Sequence, residues 1–205
     1  MVCAKATEIT RTILLRSYKS RDALNNIPAT ICDAVRATSA ATSFFNPATI
    51  GPRGREFVDA GLGANNPVEQ IWNEAQNIWC SGEQELQHLL KCFVSIGTGN
   101  PGTKPIAEGA FKFFSETLVN IATQTEETAK VFVNRHRYLY EHKRYFRFNV
   151  EQGLQGVGLE EYEKEALIDA ATADYMDSQQ TKSAVQACIS NLKLKQCKLV
   201  QEDYT

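Results

Sequence analysis

Apolar positions recur along this chain with two periods, and the places where the period changes mark its elements. Ile31, Ala34, Val35 and Thr38 fall at i, i+3, i+4 and i+7, as do Val68, Ile71, Trp72 and Ala75, so each set gives a helix one apolar stripe. The second helix is expected over Val68 to Trp79, with Pro67 at its first helical position and Asn66 and Glu69 as N-cap and capping-box partners. Phe111, Phe114, Leu118 and Ile121 repeat the spacing in a longer helix that runs on, or restarts near Thr125, to Arg137. Two more helices follow: Glu160 to Asp177, with Tyr162, Ala166, Ala170 and Ala173 on one face, and Thr181 to Leu194, with Val185, Cys188, Ile189 and Leu192. These stripes read as core faces.

Between the helices lie short runs rich in β-branched and aromatic residues. Arg11 to Tyr18 reads as a strand, Phe57-Val58 as the end of another, Cys92 to Ile96 as a third and Arg144 to Val150 as a fourth. Alternation of this kind predicts an α/β fold with a largely parallel sheet. Met1 to Ala4 has the character of a strand end with nothing before it, so the chain is expected to begin inside an element.

The 205 residues are 43% hydrophobic and 22% charged with a net charge of −2, which suits one globular core and gives no basic stripe for nucleic acid. No run approaches the roughly 20 apolar residues of a membrane-spanning helix, and no signal-peptide pattern opens the chain, so a cytoplasmic address is expected. Six cysteines, at 3, 32, 80, 92, 188 and 197, form no CxxC pair and read as reduced and mostly buried. His88 between Cys80 and Cys92 matches no zinc template, so no metal is expected.

One segment carries candidate chemistry. Phe57-Val-Asp-Ala-Gly-Leu-Gly-Ala-Asn-Asn-Pro-Val68 sets a lone carboxylate, Asp59, at the end of an apolar run and surrounds it with turn residues. Gly61, Gly63, Asn65 and Asn66 permit sharp turns and positive φ. Strand, carboxylate, turn and helix in that order is how catalytic acids are presented, although an Asx-turn that merely shapes the loop would use the same residues. Gly97-Thr-Gly-Asn-Pro-Gly102 satisfies GxGxxG after a strand, yet Pro101 and Pro105 disfavour the helix a dinucleotide turn needs, so it reads as a Gly/Pro loop.

Three co-linear motifs resemble the patatin-like phospholipase family, and within it the fungal members. They are Arg36-Ala-Thr-Ser-Ala-Ala41 before Phe44-Phe45, then Phe57-Val-Asp59-Ala60-Gly61 through Asn65-Asn-Pro67, then Val94-Ser-Ile-Gly-Thr-Gly99. The resemblance implies that residues 1–150 are the C-terminal part of a patatin-like domain and that 151–205 are helices packing on it. The implied fold is three-layer α/β/α, partial, without its N-terminal strands and nucleophile elbow. The implied activity is a lipid acyl hydrolase with a Ser-Asp dyad, in which Asp59 is the base, Ala60 and Gly61 complete its motif, and no cofactor takes part. The substrate would be a phospholipid or other acyl lipid, met in transient contact with a membrane surface.

Two departures qualify the implication. No Gly-x-Ser-x-Gly occurs in these residues, so the Ser-bearing segment would have to come from the same protein or another chain. Ala60 stands where the family pattern has Gly; with φ > 0 a Cβ there costs on the order of 1 kcal/mol, and with negative φ it is harmless. The alternative function is an inactive, truncated patatin-like module that serves as an interaction domain, or a fragment of a gene model.

Other residues stay open between two readings. Arg36 is an ion-pair partner or a phosphate ligand, and Phe44 and Phe45 pack in the core or line an acyl pocket. Lys104, Arg135-His136-Arg137 and Lys143-Arg144 are solvated faces or head-group contacts. Neither His136 nor His142 has a partner in a Ser/His/Asp order.

Overall fold

The computed structural model describes residues 1–9, 11–20, 26–42, 44–80, 85–100, 124–155, 157–158 and 161–194. The predicted helix through Phe111, Phe114, Leu118 and Ile121 lies outside them. The chain is mixed α/β and forms two compact units: Met1–Ile71 with Asn120–Ala129, and Trp72–Val119 with Lys130–Thr205.

The first unit is built on a four-stranded sheet. Strands β1 (Val2–Ala6), β2 (Thr12–Leu15), β3 (Ala48–Ile50) and β4 (Arg55–Asp59) lie in the order β2-β1-β4-β3, and every neighbouring pair is antiparallel. This corrects the expectation of a largely parallel sheet here. Residues 7–11 and 51–54 are the only links within the two hairpins, far short of the dozen or more that a parallel crossover requires. The second link turns on Gly51 and Gly54, at φ 75° and 60°. Strand β3 had no separate signal, because three residues are too few to show a period.

Alternate side chains of the sheet, Ala4, Ala6, Ile13, Leu15, Ala48, Ile50 and Phe57, are buried in one cluster with Ala37 of helix α1 (Ile31–Thr38). Helix α1 starts with a reciprocal cap: the Asp33 N–H donates to Thr30 Oγ1 at 3.1 Å and the Thr30 N–H donates to Asp33 Oδ2 at 3.0 Å. Only half of its expected stripe, Ala34 and Thr38, faces the sheet. Ile31 and Val35 are 82% and 55% exposed, while Ala37 is wholly buried and Ala34 packs against the cluster. Small residues bring the helix axis close to the sheet, close enough for Thr38 Oγ1 to donate to the Cys3 carbonyl at 2.7 Å.

Helix α2 (Gly61–Ala64) follows β4 at once, and α3 (Val68–Trp79) begins in this unit and continues into the second. The first i→i+4 bond of α3 runs from the Ile71 N–H to the Pro67 carbonyl at 2.9 Å. Pro67 therefore occupies the boundary position expected for Asn66, whose buried amide donates to the Thr125 carbonyl at 3.4 Å instead.

The second unit contains α4 (Leu86–Leu89), β5 (Phe93–Ile96), the later part of α5 (124–135), α6 (Arg137–Glu141) and β6 (Tyr145–Phe148). A 3₁₀ turn (Tyr162–Lys164) leads into α7 (Glu165–Asp177), and α8 (Gln179–Lys193) ends the described chain. Strands β5 and β6 pair in parallel, from Phe93 opposite Tyr145 to Ile96 opposite Phe148. Phe132 is the centre of an aromatic core, with ring centroids 5.0 to 5.9 Å from Trp72, Phe93 and Tyr145 and 4.5 Å from His136.

Helix α7 also turns a different face inward from the one expected. Tyr162 is 83% exposed and Ala166, Ala170 and Ala173 face solvent, whereas Ala171, with Ile168 and Tyr175, packs on Val150 and Leu154. Tyr162 lies in the 3₁₀ turn and outside the helix, and the alanines offer one methyl each where Ile168 and Tyr175 bring larger apolar surface to Val150 and Leu154. In α8, Thr181 and Cys188 are buried, Val185 is half-buried, and Ile189 and Leu192 are exposed.

Candidate active site

Asp59 is the last residue of β4, an interior strand, paired with Ala4 of β1. Its main-chain N–H donates to the Ala40 carbonyl at 2.9 Å. The structure thereby brings together two of the sequence motifs, the Arg36–Ala41 segment and the Asp59 loop. The third, Val94–Gly99, belongs to the second unit.

The Asp59 side chain is half-buried and its Oδ1 accepts from the Gly61 N–H at 2.5 Å. That is the Asx-turn geometry, in which a side-chain oxygen takes the N–H two residues on. The turn and a chemical role are compatible, because Oδ2 is not needed for it: a carboxylate has about four lone-pair sites and the Gly61 bond takes one. Among the described residues, no hydroxyl, thiol or imidazole shares a hydrogen bond with this carboxylate.

Ala60 takes φ −87° and ψ 7° and is 3% exposed. Its φ is negative, so the Cβ carries no left-handed strain and the backbone accepts Ala where the motif has Gly. At Gly61 a Cβ would sit 3.1 Å from Asp59 Oδ1, so any side chain there would push on the carboxylate. Gly63 has φ 115° and needs no side chain for that reason. The helix α2 that follows is a single turn closed by the Ala64 N–H on the Ala60 carbonyl at 2.9 Å. Asn65 and Asn66 then tie the loop to Thr125, through its hydroxyl at 2.9 Å and its carbonyl at 3.4 Å. Thr125 is a supporting residue that the sequence pattern did not single out, because its partners lie some 60 positions away.

Arg36 is exposed in the last turn of α1. Its charge is the smallest of the causes, after the Thr30 hydroxyl and N–H, that hold the Asp33 carboxyl below the usual range. Phe44 and Phe45 are 39% and 66% exposed, which corrects the core-packing alternative for Phe45. The tight turn in which both their N–H groups donate to the Ala41 carbonyl points the chain outward there. An open groove of about 330 Å³ in the same unit is lined by Arg16, Tyr18, Lys19, Asn26 and Pro28, and no residue of the Asp59 loop lines it.

In the second unit, the glycine-rich loop after β5 serves packing. The Gly97 N–H continues the ladder to the Phe148 carbonyl at 2.8 Å, and the Gly99 N–H donates to Asn149 Oδ1 at 2.8 Å. A Cβ on Gly97 would fall 2.2 Å from Asn149 Oδ1, and one on Gly99 2.6 Å from Leu154 Cδ1. These close approaches explain Gly97 and Gly99 without any phosphate ligand, while Pro101, Gly102 and Pro105 lie outside the described residues.

The basic clusters resolve residue by residue. Arg137 pairs with Glu141 at 2.7 Å on an exposed face. His136 turns inward, its ring 4.1 Å from Trp72. The Arg144 guanidinium donates to the Gln87 and Leu90 carbonyls at 3.2 and 3.1 Å and lies 5.6 Å from the Tyr138 ring, so it fastens α4 to the start of β6. Lys104 lies outside the described residues.

Of the five described cysteines all are free, but only Cys188 is buried and Cys32 is exposed, which corrects the expectation that most are buried. Among the described residues no three His, Cys, Asp or Glu side chains gather into a metal site. No helix among them is long and apolar enough to cross a membrane.

No protein-family model, no curated protein and no solved structure matches this chain.

Proposed function

We propose that this chain supplies the aspartate-bearing part of a patatin-like lipid acyl hydrolase. The observation that carries the reading is the contact between the Asp59 N–H and the Ala40 carbonyl, because it seats the Arg36–Ala41 segment beside the carboxylate at a strand-to-helix junction. Ala60 supports it by holding the loop with negative φ. In the reaction, a serine hydroxyl from a Gly-x-Ser-x-Gly turn would lose its proton to Asp59 as its oxygen attacks the acyl carbonyl of a phospholipid or acylglycerol. The alcohol or lysolipid would leave with that proton returned by Asp59, and water, losing a proton to Asp59 that passes on to the serine oxygen, would later release the fatty acid. The Gly61 N–H keeps the carboxylate aimed during both steps. The complete domain would be a three-layer α/β/α sandwich in which the present strands form one part. Its working place would be the cytoplasmic side of a membrane surface.

The experiment is release of fatty acid from phosphatidylcholine vesicles and of p-nitrophenol from a short-chain acyl ester. It compares the chain alone, the chain joined to or mixed with a Gly-x-Ser-x-Gly-bearing polypeptide, and the same combination carrying Asp59→Asn. Turnover that needs the serine segment and disappears in Asp59→Asn supports the enzyme. Turnover indifferent to Asp59, or none in any combination, sinks it.

A second reading, an inactive module that binds another protein, draws on one observation. Ile31 and Val35 on α1 stand 82% and 55% exposed, and Phe45 in the same unit 66%. Monodisperse behaviour together with no hydrolysis in any combination would favour it.

A further inference from the structure

Two thiols lie against each other in the second unit, far apart in sequence. Cys92 Sγ and Cys188 Sγ are 3.7 Å apart. Cys92 is the residue just before β5 and Cys188 is the buried cysteine of α8. Both positions are firmly held. The Phe93 N–H donates to the Arg144 carbonyl at 2.7 Å, and one turn beyond Cys188 the Asn191 amide donates to the Lys143 carbonyl at 2.5 Å. Lys143 itself takes φ 52°, so the Asn191 bond secures the reversal that starts β6. Cys92 and Cys188 thus meet where the last helix crosses the start of the parallel pair.

We propose that Cys92 and Cys188 are an oxidisable pair that closes as an intramolecular disulfide and fastens α8 to β5. The sulfurs need to approach from the 3.7 Å contact to about 2 Å, the length of a disulfide bond. The oxidant is a small-molecule disulfide such as oxidised glutathione. Cys92, half-buried, is the sulfur a reagent meets first. Its sulfur attacks one glutathione sulfur, the glutathione S–S bond breaks, and one reduced glutathione leaves with the Cys92 proton. Cys188 then attacks the Cys92 sulfur, the mixed disulfide breaks, and a second reduced glutathione leaves with the Cys188 proton. Two protein thiols are oxidised and one glutathione disulfide is reduced to two thiols.

The surroundings set the speed. Burial, the hydrogen bond with Cys188 and the neighbouring sulfur together push the Cys92 thiol up to about 12, so little thiolate is present near neutral pH. The exposed Cys32 therefore reacts first and serves as an internal clock. Slow closure suits a bond that records sustained oxidising conditions and ignores brief ones.

The test is oxidation of the full 205-residue chain with oxidised glutathione at low protein concentration, followed by alkylation, intact mass and non-reducing peptide mapping. The expected result is a linked peptide pair containing Cys92 and Cys188, formed after Cys32 has become a glutathione adduct and reversed by dithiothreitol. In the oxidised protein, proteolytic cleavage within α8 should slow at least several-fold. In Cys188→Ser the link disappears and Cys92 remains a glutathione adduct. The proposal is overturned if Cys92 and Cys188 are both recovered as free thiols or separate adducts after Cys32 is fully converted. It is equally overturned if Cys92 links to another cysteine while Cys188 is present.

Discussion

Gly61 and Asp59 hold each other: the glycine N–H is bonded to Asp59 Oδ1 at 2.5 Å, and a Cβ on the glycine would lie 3.1 Å from that same oxygen. The loop is shaped by the carboxylate and the carboxylate is aimed by the loop. Structural and chemical roles of Asp59 can therefore be separated by choosing the substitution. Asp59→Asn keeps an Oδ1 acceptor for Gly61, so stability should change by less than about 0.5 kcal/mol, while Asp59→Ala loses the turn bond and costs about 1 kcal/mol. Urea unfolding of the two variants checks this. Under the proposed activity both lose turnover, so the pair distinguishes lost chemistry from lost shape.

Gly99→Ala should be one of the costlier single-methyl additions in the chain. Its φ of 109° disfavours any Cβ, and the added atom would meet Leu154 Cδ1 at 2.6 Å. Strain and overpacking together predict a loss of about 2 kcal/mol or more. The unfolding midpoint in guanidinium should fall with an unchanged slope. A neutral result would mean that the loop after β5 can move off Leu154.

Phe132→Ala removes the centre of the aromatic core. The ring is fully buried and within 6 Å of three other aromatic side chains. A loss of about 3 to 5 kcal/mol is expected, enough to abolish the near-ultraviolet dichroism of the Trp72 neighbourhood. Phe132→Leu should recover more than half of it.

The cap of α1 makes stability depend on pH in a defined direction. Thr30 bonds, and secondarily Arg36, hold Asp33 below the ordinary carboxylate range. A depressed folded pKa contributes stability above the unfolded value and loses it as pH falls through the folded one. Thr30→Ala should raise the Asp33 titration midpoint, read from its carboxyl carbon by NMR, and weaken the helix at every pH through loss of the Asp33 N–H bond, with a further loss at neutral pH that vanishes in acid. An unmoved midpoint would show that the hydroxyl is not the principal cause.

How far the sequence foretold this depends on the range of the cause. Helix α3 is found over the expected residues because Pro67 and a continuous stripe act locally, and β5 and β6 fall inside the expected runs. The Asp59 loop was legible for the same reason, as strand, carboxylate and glycines are adjacent. Ala60 was not, since only the backbone decides the sign of φ. The faces of α1 and α7 are legible only in part, because the surface each helix meets decides which residues pack. The sheet takes Ala37 with Ala34, and Val150 and Leu154 take Ala171, Ile168 and Tyr175. Antiparallel pairing follows from the short links 7–11 and 51–54, which alternation of strand and helix patterns does not register. The roles of Ala40, Thr125 and Asn149 all arise from partners distant in the chain, which no local window contains.

The strand order β2-β1-β4-β3 sets a timetable for synthesis. Strand β1 can form its hairpin with β2 as soon as both have been synthesised, yet its other side is completed only when Asp59 arrives opposite Ala4. During that interval the nascent chain carries a bare row of backbone donors and acceptors along β1, open to pairing with a neighbouring copy. Slower translation between β2 and β4 should therefore lower the yield of folded protein, and a chaperone that shields β1 should restore it.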